Sequence, residues 1–87
     1  MNFKVIVKPS AEKSILRLDE SDYKAIFERI RALAQEPRPF GVKKLAIGGL
    51  WRLRVRDFRV IYSIDDEKKL VIVAKVARRS EGTYKGF

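Results

Sequence analysis

The sequence contains neither cysteine nor histidine. Without cysteine, disulfides, thiolate catalysis and cysteine-based zinc sites are excluded. Without histidine, the chain lacks the usual metal ligand and the side chain that most often serves as general base near neutral pH. Any chemistry must therefore use arginine, lysine, tyrosine, hydroxyl or carboxylate groups, and we expect no metal or other cofactor.

Long hydrophobic runs are also missing. No segment approaches the roughly 20 apolar residues that span a bilayer. The amino terminus, MNFKVIVKPSAEK, has a short apolar run that is followed at once by lysine and proline, so it lacks the apolar region of a signal peptide. We therefore expect a cytoplasmic protein with no membrane partner.

Acidic residues are outnumbered by basic ones, 11 against 20, which gives the 87-residue chain a formal net charge of +9. This charge favours a polyanionic partner, because lysine and arginine neutralise phosphates. Nucleic acid or an acidic protein is the first expectation, and a merely well-solvated basic protein is the alternative. Length and a hydrophobic content of 46% predict one small domain, residues 1–87, with a thin core.

Hydrophobic periodicity in the first half predicts one strand and a pair of helices. The β-branched run at residues 3–7 predicts a strand. Apolar residues recur at helical spacing over residues 9–18, and a short connection leads into a second helix at residues 20–36, so a helical hairpin is expected. The apolar stripe of the second helix has a period of 3.6 residues and comprises Tyr23, Ile26, Phe27, Ile30, Leu33 and Ala34.

A loop rich in proline and glycine, PRPFGVKKLAIGG, precedes three further predicted strands. Residues 51–56 and 58–64 alternate with the period of a strand, which places Trp51, Leu53, Val55, Phe58, Val60, Tyr62 and Ile64 toward the core. Residues 70–76 are apolar nearly throughout, as in a central strand that is covered on both faces. The order β-α-α-β-β-β predicts a small α+β fold whose mostly antiparallel sheet is covered on one face by the helical hairpin.

The same alternation predicts a row of arginines on the other side of two strands. Arg52, Arg54 and Arg56 alternate with the apolar residues of the first strand, and a hairpin at Asp57 brings Arg59 to the same side. Such a row is most often a solvated face. Arginines this close repel one another unless an anion binds between them, however, so their clustering favours a phosphate site.

The carboxyl-terminal segment ARRSEGTYKGF adds Arg78, Arg79 and Tyr84 beyond the last strand. An aromatic ring among arginines suits a stacked, single-stranded base better than a duplex groove. Lys43 and Lys44 in the preceding loop would extend the basic surface. The consecutive carboxylates at residues 65–67 lie in a turn without a partner cluster, and predict neither a glycosidase pair nor a metal site.

The stretch KKLAIGGLWRLRVRDFRVIYSIDDEKKLVIVAKVARRSEGTY resembles the RelE/ParE superfamily of toxins from toxin-antitoxin pairs, and is closer to the RelE-type mRNA interferases. The elements KKL, a glycine-preceded WRLRV, DFRVIY and an arginine pair near a tyrosine occur in the order that the family shows. The strand and helical hairpin that precede them also fit, so the resemblance covers nearly the whole chain and implies the family's fold.

The resemblance implies a toxin that enters the ribosomal A site and cuts mRNA there, through attack of a 2′-hydroxyl on the adjacent phosphodiester. The implied partners are the ribosome, its mRNA and an acidic antitoxin that neutralises the toxin. The implied catalytic residues are Arg52, Arg54, Arg59, Arg79 and Tyr84, and the implied RNA-binding residues are Lys43, Lys44, Arg56 and Arg78. The alternatives are a ParE-like inhibitor of DNA gyrase that shares the fold, and a non-catalytic RNA-binding domain.

Four departures from the family pattern bear on the site. Lysine is common at the positions that Arg52 and Arg54 occupy, and arginine is a poor general base because it stays protonated. The histidine and the paired glutamate that some relatives use are absent, and Glu81, the only acid beside the terminal arginines, is a candidate general base. Arg56 stands in the hairpin turn where glycine is frequent, which predicts a positive φ. The spacing to Tyr84 also differs by one residue, so the terminal catalytic arginine is either Arg78 or Arg79.

Overall fold

The computed structural model describes residues 2–46 and 48–78. In chain order, its elements are β1 (Lys4–Val7), α1 (Pro9–Leu16), α2 (Glu20–Ala32), β2 (Lys43–Lys44), β3 (Leu50–Val55), β4 (Phe58–Asp65) and β5 (Leu70–Arg78). The strands form one sheet in the order β1-β5-β4-β3-β2. Strands β1 and β5 are parallel and the other three pairings are antiparallel. The predicted α+β fold is confirmed, with the addition of the short edge strand β2 in the predicted loop.

Local signals in the sequence account for both helices. Helix α1 begins at Pro9, where proline is tolerated because the first backbone N–H has no partner in the helix. Helix α2 begins after Asp19, whose side chain accepts a hydrogen bond of 2.8 Å from the backbone N–H of Asp22. It ends at Ala32, about one turn earlier than predicted. Neither helix of the described part is long and apolar enough to cross a membrane.

The helices cover one face of the sheet and form the hydrophobic core with it. Ile15, Ile26 and Ile30 from the helices are buried in one cluster with the apolar residues of the β3–β4 hairpin, namely Leu53, Val55, Phe58, Val60 and Tyr62. Phe27 is an exception to the predicted stripe of α2. It is 44% exposed and stacks on Tyr23, with 5.8 Å between ring centroids, beside the core rather than inside it.

The connection between α2 and β2 is anchored to the sheet by two polar contacts. The buried hydroxyl of Tyr62 donates a hydrogen bond of 2.7 Å to the carbonyl of Pro37. Arg38 donates two hydrogen bonds, of 2.7 and 3.2 Å, to the carboxylate of Asp66, and its guanidinium lies 5.2 Å from the centre of the Trp51 ring. These contacts hold the loop against Tyr62 and Trp51, on the helix-covered face of the sheet.

Candidate nucleic-acid interface

The face of the sheet that the helices leave uncovered carries the arginine cluster. Residues that pair across adjacent strands lie on the same face. Arg54 pairs with Arg59, and Arg52 pairs with Ile61, whereas Leu53 pairs with Val60 on the core side. The structure therefore brings Arg52, Arg54 and Arg59 together, as the alternation predicts. We call this surface, defined by those three arginines, the open face.

The three arginines differ in how far they reach into solvent. Arg54 is exposed, while Arg52 and Arg59 are half-buried. The Nε atom of Arg52 is buried and donates no hydrogen bond within the part of the chain that the structure describes. A desolvated donor of this kind is costly unless an acceptor reaches it. A phosphate oxygen is a suitable acceptor, because guanidinium groups bind oxyanions through parallel hydrogen bonds.

Lys75 joins the open face through a β-bulge in β5. Ile61 pairs with Lys75, whereas the next residue of β4, Tyr62, pairs with Val73, so Ala74 is an extra residue in β5. Val73 is buried in the core. Strict alternation from Val73 would turn Lys75 toward the core, but the bulge reverses the phase and places Lys75 on the open face.

Lys75 completes a row that crosses four strands. Lys43 pairs with Arg52, Arg52 with Ile61, and Ile61 with Lys75. Adjacent strands lie about 4.8 Å apart, so the Cα atoms of Arg52 and Lys75 are separated by roughly 10 Å. Ile61, between them, is fully buried although it lies outside the core cluster on the helix side. The row therefore has an apolar centre that is flanked by cationic side chains.

Sequence reasoning missed Lys75. The strand LVIVAKV was predicted to be buried on both faces, and no pairing information was available to place its lysine. A signal was nonetheless present, because a charged residue within an apolar central strand must reach solvent or a partner.

Arg56 is directed away from the open face. Its φ of 54° confirms the predicted positive φ. Its Nη1 donates hydrogen bonds of 2.7 Å to the Ser21 hydroxyl and 3.1 Å to the Asp22 carboxylate, at the start of α2. The structure therefore uses Arg56 to tie the β3–β4 turn to the helical hairpin and does not bring it to the predicted RNA surface.

Two more of the predicted RNA-binding residues lie on the helix-covered side. The guanidinium carbon of Arg78 lies 4.9 Å from the centre of the Phe58 ring, which belongs to the core. The Lys44 amine lies 5.9 Å from the centre of the Trp51 ring, and these two residues pair across β2 and β3. Lys43, by contrast, pairs with Arg52 and shares the open face.

The predicted residues Arg79, Glu81 and Tyr84 lie outside the described residues. Within residues 2–46 and 48–78, no group of three or more carboxylates is arranged to hold a metal ion. What the described open face offers is therefore a set of guanidinium and amine groups, which can bind and stabilise negatively charged phosphate.

Comparison with known proteins finds toxins among the relatives of this chain. The model of a family described as the ParE toxin of the type II toxin-antitoxin system parDE matches residues 5–82. A protein of Methanocaldococcus jannaschii that is assigned as toxin RelE1 is 33% identical in an alignment of 89 positions that covers 98% of each chain.

Solved structures of similar proteins share the fold over nearly the whole length. The chain resembles one in the archaeal RelE–RelB complex of Pyrococcus horikoshii, with a TM-score of 0.83 and 31% identity over 94% of this chain and 100% of that one. It also resembles one in the RelBE2 toxin–antitoxin complex of Mycobacterium tuberculosis, with a TM-score of 0.80 and 26% identity over 91% of this chain and 100% of that one.

Proposed function

Since the chain belongs to the ParE toxin family of type II toxin-antitoxin systems, we propose that this toxin is a ribosome-dependent endoribonuclease that cleaves mRNA in the A site. The observation that carries the proposal is the convergence of Arg52, Arg54 and Arg59 on one face that the helices leave uncovered. Cleavage of mRNA during translation would stop protein synthesis and arrest growth.

The open face has groups that could stabilise the charge that develops during phosphodiester cleavage. Attack of a 2′-hydroxyl on the adjacent phosphorus produces a dianionic, pentacoordinate phosphorane. Guanidinium donors that are already in place stabilise this developing charge without reorganisation. Exposed Arg54 can meet the incoming RNA, whereas half-buried Arg52 and Arg59 present donors from a drier environment, where such hydrogen bonds are stronger. The ribosome would supply the alignment of the reacting groups.

The resemblance assigns two further roles to the carboxyl-terminal segment. Arg79 would contact the reacting phosphate, and Tyr84 would stack on a base near the cleavage point. The contact between Arg78 and Phe58 on the helix-covered side favours Arg79 over Arg78 as the terminal arginine.

An acidic antitoxin is the proposed protein partner. The two structural relatives named above were solved as RelE–RelB and RelBE2 complexes. For this chain, an acidic antitoxin segment on the open face would compete with mRNA for Arg52, Arg54 and Arg59. Such competition would neutralise the toxin in the cytoplasm, and no cofactor would be required.

Mapping of mRNA ends tests the nuclease directly. The toxin would be induced in cells, and the 5′ ends of abundant transcripts would be mapped by primer extension. We expect cuts confined to translated codons, and their loss in the double variant R54Q/R59Q. The matched control is R29Q, which removes an exposed arginine from the last turn of α2. Intact mRNA during growth arrest would contradict the proposal.

The family model that matches the chain is named for the ParE toxin, and this favours a second candidate function. A ParE-like toxin would inhibit DNA gyrase without cutting RNA. A gyrase supercoiling assay separates the two, since the nuclease should leave supercoiling unchanged. A non-catalytic RNA-binding domain would instead show salt-sensitive RNA binding without cleavage on programmed ribosomes.

A further inference from the structure

We propose that Lys75 is a catalytic residue of this toxin, and that its Nζ accepts the proton of the attacking 2′-hydroxyl. The inference rests on the proposed nuclease function and supplies the general base that the arginine cluster lacks. It follows from the bulge at Ala74, which turns Lys75 onto the open face beside the proposed phosphate site.

The chemistry requires a group that can lose its own proton. The three arginines of the open face cannot act as the base, because a guanidinium stays protonated throughout the physiological pH range. A lysine amine can release its proton and then accept another. Among the described residues, the lysines whose pairing places them on the open face are Lys4, Lys43 and Lys75.

Position separates these three lysines. Lys4 pairs with Leu70 at the opposite end of β5, and Lys43 lies on the two-residue edge strand, where it is exposed. Lys75 lies on β5 in the interior of the sheet and is half-buried. Bulges recur next to active sites, where they redirect a side chain, and this bulge turns Lys75 onto the open face.

The dimensions of the row fit one RNA linkage. The Cα atoms of Arg52 and Lys75 are separated by two strand spacings, roughly 10 Å, and both side chains are long enough to converge on a group between them. Ile61 forms a buried apolar centre beneath that point. A phosphate held by Arg52 would therefore have its neighbouring ribose within reach of Lys75.

The charged residues around Lys75 allow phosphate binding and proton transfer to be carried out by different side chains. Arg52, Arg54 and Arg59 on β3 and β4 are charged residues of the same face. On the other side of β5, Lys8 follows β1, and its backbone N–H donates a hydrogen bond of 3.0 Å to the Val73 carbonyl. Helix residues pack against the opposite face of the sheet. Among the described acids near this surface, Asp57 lies in the β3–β4 turn and Asp65 lies four residues beyond Ile61 at the end of β4, and both are exposed. The arginines would bind the phosphate, and the amine would handle the proton.

The step balances without a co-reactant. The neutral amine takes the proton from the 2′-oxygen, the bond from that oxygen to phosphorus forms, and the bond from phosphorus to the 5′-oxygen breaks. The products are a 2′,3′-cyclic phosphate and a 5′-hydroxyl, whose oxygen takes a proton from water. The Lys75 ammonium then returns its proton to the resulting hydroxide, so no net water is consumed.

Single-turnover cleavage on programmed ribosomes, followed over a range of pH, tests the proposal. Loss of a general base typically costs a factor of about 10² to 10⁴. We expect K75R and K75Q to lose at least about 100-fold in cleavage rate, and the wild-type increase of rate with pH to disappear in both. The matched variants K43R and K43Q, from the other end of the same row, should keep that pH dependence.

The K75R variant shows whether Lys75 acts by proton transfer or only by its positive charge. K75R keeps the positive charge, so it should bind ribosomes as the wild type does while failing to cleave. In K75A, added methylamine should restore part of the rate. If K75R cleaves at the wild-type rate with the wild-type pH profile, Lys75 is only a charge and the inference is wrong. If the wild type itself does not cleave, the proposed function and this inference both fall.

Discussion

Arg54 of β3 and Arg59 of β4 lie directly opposite each other on the uncovered face of the sheet. Like charges at paired positions destabilise an antiparallel sheet. An anion bound between them would relieve this repulsion. The same pair is therefore expected to lower the stability of the fold and to support the proposed activity.

Removing one member of this pair should stabilise the protein and weaken its activity. We expect R54Q to raise the free energy of unfolding by a few tenths to about 1 kcal/mol at low salt, with a smaller gain at high salt. Urea unfolding at two ionic strengths measures this. The control R29Q, on helix α2, should show no such gain. A loss of stability in R54Q would contradict the repulsion.

The salt dependence of RNA binding should identify which arginines contact phosphate. Each phosphate contact to a single strand contributes about 0.7 to the slope of log K against log salt concentration. We expect R54Q to reduce the slope by about that amount. R56Q should change it less, because Arg56 is bonded to Ser21 and Asp22. Equal changes in the two variants would show that net charge alone governs binding.

At position 56, glycine should be more stable than alanine. Both substitutions remove the contacts with Ser21 and Asp22, so they differ only in the backbone at φ 54°. The left-handed conformation costs a residue with a Cβ roughly 1–2 kcal/mol. Thermal unfolding of R56G and R56A compares the two. The usual order, with alanine more stable, would argue against a strained turn.

Alkaline conditions should destabilise the toxin through Tyr62. Burial raises the pKa of Tyr62 well above its usual range. The folded state therefore retains a proton that the unfolded state loses, so this stabilisation is fully present below pH about 10 and is lost as pH rises above it. Y62F should show a weaker alkaline loss. It should also be less stable at neutral pH, by about 1–3 kcal/mol, because the Pro37 carbonyl loses its donor.

The loop anchor should be visible in the titration of Asp66. The hydrogen bond from Arg38 lowers the pKa of this carboxyl. Its contribution to stability is therefore present above the ordinary aspartate pKa and is lost as pH falls through the lowered value. Carboxyl NMR should show the Asp66 pKa returning to its usual range in R38A. An unchanged titration would mean that the pair does not persist in solution.

Much of the fold could be predicted from local sequence because local signals agree with one another. The alternation of Trp51, Leu53 and Val55 with arginines gives the two faces of β3, and the stripe of α2 gives its buried side. The exposure of Phe27 could not be predicted in this way, because a residue at the margin of an apolar stripe is buried only if another element packs against it. Strand β2 is set by pairing with β3, and a run of two lysines does not predict it.

The candidate site was predictable only where strict alternation holds. By itself, the sequence determined the absence of histidine and cysteine, the basic charge and the arginine row, since these depend on residue identity and on a period of two. Tertiary structure alone decided that Arg56, Lys44 and Arg78 lie on the helix side and that Lys75 does not. Each of these outcomes depends on which strand pairs with which and on one extra residue at the bulge, and pairing register is a property of the assembled sheet.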